Sequence, residues 1–358
     1  MTTGDVTKPE PLAIRTAQAS AQDDSTPFDI VQEYRTILAS DPEISMPVAA
    51  IEALIALLGR TSATTAMETV SVIKTHAELL QQAVSNPVPL KAGTDLFQQY
   101  LLRSLKGQAA AGSAPPLSFD ETRQHLLRNS QRFVTRAKAA RETIAYKGAA
   151  YVKDGSVVLA AGGSRTVKTL LLRAADRHVE RWGSPRFKVV YVMDGSRDSV
   201  PAVEALRERG VPVAEIEQSA VAFTLRAARV DMAFVGTEVV VQNGGLLSRM
   251  GTFQLATLCQ AMKIPFYVAA ESHKIVRVYP LSQADLPRCG VRQDVLEFKC
   301  AEQQKAEEED SPDLFNRSFG QQASPIDYTP PEFISSIITE QGVKMPAAVY
   351  DLILDLYT

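Results

Sequence analysis

The side chains best suited to chemistry gather in the second half of the sequence, just past short apolar runs. Gly162, Gly163, Ser164 and Arg165 follow the run Val157 to Ala161, and Asp194, Gly195, Ser196 and Arg197 follow Lys188 to Met193. A β-branched run from Met232 to Val241 contains Glu238 and turns on Asn243, Gly244 and Gly245. Arg249 and Thr252 come soon afterwards, and Lys274 follows the run Pro265 to Ala270. Glycine turns, hydroxyls and cations in this pattern suit an anion. In a parallel sheet, a turn at the carboxyl end of a strand lies at the amino end of a helix, where free N–H groups and the helix dipole favour negative charge. The pattern therefore predicts a phosphate or sugar-phosphate pocket. A second reading of Asn243-Gly244-Gly245 is purely conformational, the glycines supplying the positive φ of a tight turn. Arg249 and Lys274 fit a phosphate, a surface position or a pairing with Glu238. Thr252 fits a ligand or a bond to its own preceding turn.

These residues need a scaffold, and the spacing supplies one. From Val157 onward, strand-length and helix-length segments alternate: strands at Val157 to Ala161, Lys188 to Met193, Val211 to Ile216, Met232 to Val241 and Pro265 to Ala270, with helices between them. Such a series predicts right-handed βαβ units and a parallel sheet covered on both faces. The fold class expected is α/β: an N-terminal helical domain followed by a Rossmann-like parallel-sheet domain. The GxGxxG fingerprint is missing, so a dinucleotide is not expected.

The first half is helical in period. Residues 1–24 read as a mobile tail, with order beginning near Ser25-Thr26-Pro27, a hydroxyl cap before proline. Apolar stripes predict four helices up to Leu101, the second ended by Gly59 and the third stopped by Pro87 and Pro89. Residues 107–118 read as a flexible insertion, which places the helical domain at 25–147 and the second domain at 148–358, with an acidic loop at about 302–312. A long basic helix is expected from Asp120 to Tyr146. Its Arg128, Arg132 and Arg136 recur every four residues and share one face. That face is either solvated or a docking surface for an acidic or phosphorylated partner.

Composition bounds the rest. The 358 residues are 45% hydrophobic and 22% charged, an ordinary globular balance. A formal net charge of -3 argues against a general nucleic-acid binder. No run has the length of a membrane span, and the polar amino terminus lacks a secretory core, so a cytosolic chain is expected. Cys259, Cys289 and Cys300 form no CxxC pair and are expected to be reduced thiols.

Several stretches together resemble the alpha-subunit family of eukaryotic translation initiation factor 2B. They are KDGSVVLAAGGSR (Lys153 to Arg165), VVVQNGG, SRMGT, PFYVAAESHKIVRVYPL and, near the end, DYTPPEFISSIITEQGVKMPAAV. The resemblance covers nearly the whole chain from about Pro27. It implies a non-catalytic, regulatory subunit that forms a homodimer through its carboxyl-terminal domain and joins two halves of a guanine-nucleotide exchange factor in the cytoplasm. Implied partners are the beta and delta regulatory subunits, through them the catalytic subunits, and initiation factor 2 phosphorylated on its alpha subunit. Neither nucleic acid nor membrane is implied as a direct partner. The family shares its fold with isomerases of methylthioribose 1-phosphate and ribose 1,5-bisphosphate. Against those enzymes, the catalytic cysteine falls at Gly162 and the aspartate at Glu238. Their NGD motif becomes Asn243-Gly244-Gly245, and their Asn-Lys becomes Ser248-Arg249. Loss of the thiol removes an acid/base group. The resemblance thus implies no required cofactor, with a sugar phosphate or nucleotide monophosphate as a stabilising or regulatory ligand. The alternative is an isomerase working through another pair, Glu238 with Asp194.

Overall fold

The computed structural model describes residues 28–61, 65–110, 119–193, 197–293, 295–296 and 325–357. The expected tail, the Ser25-Thr26-Pro27 cap, residues 111–118 of the expected insertion and the acidic loop lie outside the described residues; residues 107–110, expected in that flexible insertion, instead continue the helix Val88–Ala110.

Five helices come first: α1 (Ile30–Ser40), α2 (Met46–Arg60), α3 (Ala66–Gln82), α4 (Val88–Ala110) and α5 (Phe119–Gly148). Asp29 caps α1 by accepting the N–H groups of Val31 and Gln32. Two expected helix boundaries move. Gly59 lies inside α2, which Thr61 ends by donating its N–H to Leu57 O. Pro89 falls in the first turn of α4, where no intrahelical N–H is required, so it starts a helix instead of stopping one. The helices pack around Leu54, Leu58, Ile73, Leu80, Phe97 and Leu101, all buried. At the α2–α4 crossing Gly93 permits close approach, because a Cβ there would lie 2.3 Å from Pro47 O. That crossing fixes the start of α2, which becomes one wall of the site.

The remaining elements, in chain order, are β1 (Val157–Ala161), α6 (Arg165–Trp182), β2 (Lys188–Met193), α7 (Val200–Glu208), β3 (Val213–Glu217), α8 (Val221–Ala227), β4 (Met232–Gly236), β5 (Val239–Val241), β6 (Leu246–Arg249), α9 (Thr252–Ala261), β7 (Phe266–Ala269), β8 (Ile275–Val276), β9 (Ile326–Thr329), β10 (Ser336–Thr339), β11 (Gly342–Lys344) and α10 (Val349–Tyr357). Seven strands form one sheet in the order β11-β10-β7-β4-β1-β2-β3, parallel except for the β10–β11 pair. Apolar side chains fill both faces, as a doubly covered parallel sheet requires. The chain winds outward from β1 in both directions, so the carboxyl ends of β1 and β4 flank the switch point where ligands of such sheets bind.

The single strand expected from Met232 to Val241 is in fact two. It breaks at Thr237-Glu238, where the Thr237 hydroxyl lies 2.7 Å from Val239 O and accepts the Val239 N–H. Past the break, β5 belongs to a second sheet ordered β8-β5-β6-β9. Asn243-Gly244-Gly245 then makes the hairpin between antiparallel β5 and β6, with Gly244 at φ +85 and its N–H bonded to Val241 O. The turn therefore leads into a strand, and α9 starts only after that strand, at Thr252. The expected strand, turn and helix order is corrected accordingly. SRMGT straddles the end of β6 and the start of α9.

The outer edge of β9 is closed by side chains. Gln283 donates to Tyr328 O and accepts the Tyr328 N–H, while Gln293 does the same for Ile326. Each amide stands in for one residue of a neighbouring strand.

Candidate functional site

A cavity of about 270 Å³ opens at the carboxyl ends of β1 and β4. One wall is the turn Gly162 to Thr166 at the amino end of α6, together with Gly236, Thr237 and Glu238. A second runs from Ser248 along the first turns of α9 to Leu258. The helical half supplies the third, through Ser45, Met46 and Pro47 at the amino end of α2 and Arg141 of α5; Glu271 and Lys274, just past β7, complete it.

Glycine is required at two of these places by close approach. A Cβ on Gly163 would lie 2.3 Å from the Asp198 Cβ, and one on Gly236 would lie 2.1 Å from the Ser164 Oγ. Gly162 differs. At φ +71 it holds a left-handed conformation, its carbonyl accepts the Tyr191 hydroxyl at 2.7 Å, and a Cβ there would meet nothing within 4 Å. Space for a side chain exists at this position, and the residue provides none. Ser164 caps α6 by accepting the Val167 N–H at 3.3 Å. At α2 the hydroxyl of the cap residue Ser45 goes instead to His273 Nε2, at 3.0 Å, so the first turn of α2 has no side-chain cap.

Four cations and two carboxylates line the space. Arg249 pairs with Asp198 across the mouth. Lys274 Nζ lies 2.8 Å from Glu271 Oε2 and donates to Thr237 O at 3.2 Å. Arg165 reaches across to the carbonyls of Pro42 and Ile44, and Arg141 to the carbonyl and carboxylate of Glu43, fastening the α1–α2 connection to the sheet. Arg141 Nε is 3.9 Å from Glu271 Oε1, on which the Thr166 hydroxyl also donates at 2.8 Å. Burial works to raise the Glu271 carboxyl, but the adjacent Lys274 ammonium prevails and holds it well below the usual carboxylate range. Burial pushes the neighbouring imidazole of His273 down to about 4, against the pull of Glu271. Glu238 shifts the other way: burial raises its carboxyl despite Arg249, Lys274 and the Asn86 amide, which donates to Oε2 at 2.9 Å.

Of the residues singled out from the sequence, Gly162, Gly163, Ser164, Arg165, Glu238, Arg249, Thr252 and Lys274 converge on this cavity. Asn243, Gly244 and Gly245 do not. They sit on another face, where Asn243 Nδ2 donates to Pro280 O and to the Tyr328 hydroxyl and lines a shallower depression with Tyr279, Leu281 and Tyr350. Here the conformational reading describes the geometry, since Gly244 and Gly245 press against Pro346 and Tyr328 with no room for a side chain. The Thr252 hydroxyl donates to Arg249 O, a bond within its own turn. The amino end of α9, expected to cradle an external anion, is occupied by the Asp327 carboxylate, which accepts the N–H groups of Gly251 and Phe253. Asp194 lies outside the described residues. Arg128, Arg132 and Arg136 are exposed on α5, away from the cavity lining.

Sequence reasoning missed Arg141, Glu271, His273 and Ser45. Glu271 carried a usable signal, a carboxylate closing an apolar strand three residues before Lys274. Arg141 was submerged among many basic residues of one helix. No group of metal-ligating side chains occurs among the described residues.

The cavity sits at the switch point where open parallel sheets bind ligands, and known proteins bear on it. The chain is 28% identical over 340 residues to translation initiation factor eIF2B subunit alpha of Dictyostelium discoideum, covering 92% of this chain and 97% of that one. It is 27% identical over 239 residues to ribose 1,5-bisphosphate isomerase of Archaeoglobus fulgidus, covering 66% and 69% of the two chains. The structure of eIF2B beta from Chaetomium thermophilum superposes with a TM-score of 0.68 over 92% of both chains at 14% identity, a likeness of fold. The sequence pattern of the initiation factor 2 subunit family matches residues 39–346, and the chain belongs to that family.

Proposed function

We propose that this chain is a non-catalytic regulatory subunit, of the alpha type, in a cytoplasmic translation initiation factor 2B assembly. In this reading it forms a homodimer that joins two halves of the assembly, contacts beta-type and delta-type subunits, and helps to sense initiation factor 2 phosphorylated on its alpha subunit. The observation that carries the non-catalytic part is Gly162: the position that the resemblance aligns with the isomerase cysteine has no side chain, and its left-handed backbone at φ +71 disfavours one. Exposed Tyr279, Leu281 and Tyr350 around the second depression support self-association through the carboxyl-terminal half. The exposed arginines of α5 offer bidentate partners for an acidic or phosphorylated surface. Buried Glu238, whose carboxyl burial raises above its ordinary value, supports the second reading, a residual sugar-phosphate isomerase.

Two measurements decide between them. Tagged chain captured from its own cytosol is expected to bring the other exchange-factor subunits with it, and the purified chain is expected to leave ribose 1,5-bisphosphate unchanged. Capture of the chain alone, with brisk turnover, reverses the assignment. The cavity is read as an anion site because Arg141, Arg165, Arg249 and Lys274 outnumber the lining carboxylates and the amino ends of α2 and α6 both face it. Ribose 5-phosphate or adenosine monophosphate at millimolar concentration is expected to raise the melting temperature by a few degrees. An unchanged melting curve with both would remove the ligand from the proposal.

A further inference from the structure

Asp327 lies behind the cavity wall and is absent from its lining. It projects from β9, opposite Ser248 of β6, and is 4% exposed. One oxygen, Oδ2, accepts the Gly251 N–H at 2.8 Å and the Phe253 N–H at 3.0 Å. The other, Oδ1, is buried and has no hydrogen-bond partner among the described residues. The cap at α9 has to come from β9, because Gly251, the helix's own cap residue, has φ +98 and a Cβ there would run into the Gln218 side chain. This carboxylate therefore fixes the backbone from Arg249 to Phe253, which carries the cavity cation Arg249. It also takes the helix end that a solute anion would otherwise use.

The surroundings of Asp327 leave its charge poorly compensated. On α9 the only titratable side chain is Cys259, whose thiol burial pushes up to about 12. On β6 the neighbour is Arg249, whose guanidinium is committed to Asp198 at the mouth. Glu332, on the turn that packs against α9, is exposed. Burial raises the Asp327 carboxyl to about 6 against the backbone N–H groups that it accepts.

We propose that Asp327 is a resident negative charge that regulates the cavity, so that binding of an anion in front of Arg249 is linked to proton uptake on Asp327 behind it. The linkage rests on the reading of the cavity as an anion site. An ionised Asp327 opposes a second negative charge in the same low-dielectric region and is itself uncomfortable there; the neutral acid relieves both. Anion affinity should then rise as pH falls through about 6.

Inorganic sulfate is the probe, since it keeps its two charges throughout the window, and the full chain is titrated at pH 7.5 and pH 5.5 by calorimetry. Wild type is expected to bind about tenfold more tightly at pH 5.5. Asp327→Asn keeps an oxygen for the two N–H groups and discards the charge. It is expected to bind at pH 7.5 as wild type does at pH 5.5, with little pH dependence. A merely structural role predicts the opposite, weaker binding by the variant. Equal pH dependence in wild type and Asp327→Asn, or a weakened variant, overturns the linkage and leaves the anion site standing. Absence of sulfate binding by either protein at both pH values removes the anion site and the linkage with it. Asp327→Glu, which restores the charge one carbon longer, is expected to regain a pH dependence and shows that the asparagine result belongs to the charge.

Discussion

Replacing Glu271 with alanine is expected to destabilise the protein by about 3–5 kcal/mol, measured as the loss of unfolding free energy in urea. Glu271 is 2% exposed and receives Lys274, the Thr166 hydroxyl and, at longer range, Arg141. Alanine leaves the part-buried Lys274 ammonium without its anion, while Arg141 keeps Glu43, and that uncompensated charge is what makes breaking a buried pair so costly. Glu271→Gln keeps an acceptor for Thr166 and discards the charge, so its loss is expected to be smaller. The sign with pH comes from a folded-state carboxyl held below its ordinary value of 4.5. The contribution is complete above that value and disappears as pH falls through and beneath it. A loss under about 1 kcal/mol for the alanine variant would mean that the helical half is held to the sheet by other contacts.

His273 is expected to make the protein acid-labile over a higher window. Its imidazole is buried and bonded to Ser45, and the folded protein holds it down at about 4 from the ordinary 6.5. A folded state that resists protonation loses stability as pH drops from 6.5 towards 4, by about 3 kcal/mol at the bottom of that range. Asp327 acts in the opposite direction, because its raised value makes the folded state gain stability as pH falls through about 6. The two slopes offset each other in wild type, so the test is a difference. Unfolding free energies of wild type and His273→Gln, compared at pH 7 and pH 4.5, should diverge by about 2–3 kcal/mol in favour of the variant at acid pH. Parallel pH curves would show that His273 reaches solvent.

Local pattern carried much of the architecture and little of the site's wiring. The runs that become β1, β2 and β7 are short, apolar and bounded by turn residues, and the long period of α5 is unmistakable, so both layers could be read from neighbours in sequence. The break at Thr237-Glu238 could not, because the residues on either side are equally β-branched and only the partner strands tell β4 from β5. Asn243-Gly244-Gly245 failed for a related reason. A glycine turn prefers a conformation and is indifferent to the type of element it leads into, and here the deciding neighbour is Tyr328, 85 residues further on. Glu238, Arg249 and Lys274 were found because they lie within or soon after apolar runs, although Arg249 ends β6 of the second sheet, which local pattern did not announce. The Ser45–His273 bond joins residues 228 apart, and Arg141 meets Glu271 only once α5 lies across the sheet. Pairings of that kind belong to packing, and no spacing rule announces them.

The two glutamines that close the edge of β9 have a consequence for the chain between Gln293 and Ile326. Gln293 grips both backbone groups of Ile326, a residue 33 positions later, so the ends of that interval are tied to each other whatever lies between them. Doubling the length of such an excursion costs only about 0.6 kcal/mol in closure entropy. A change of length between those two anchors is therefore expected to leave the edge of β9 closed, with the knot at its base keeping the edit from reaching the sheet.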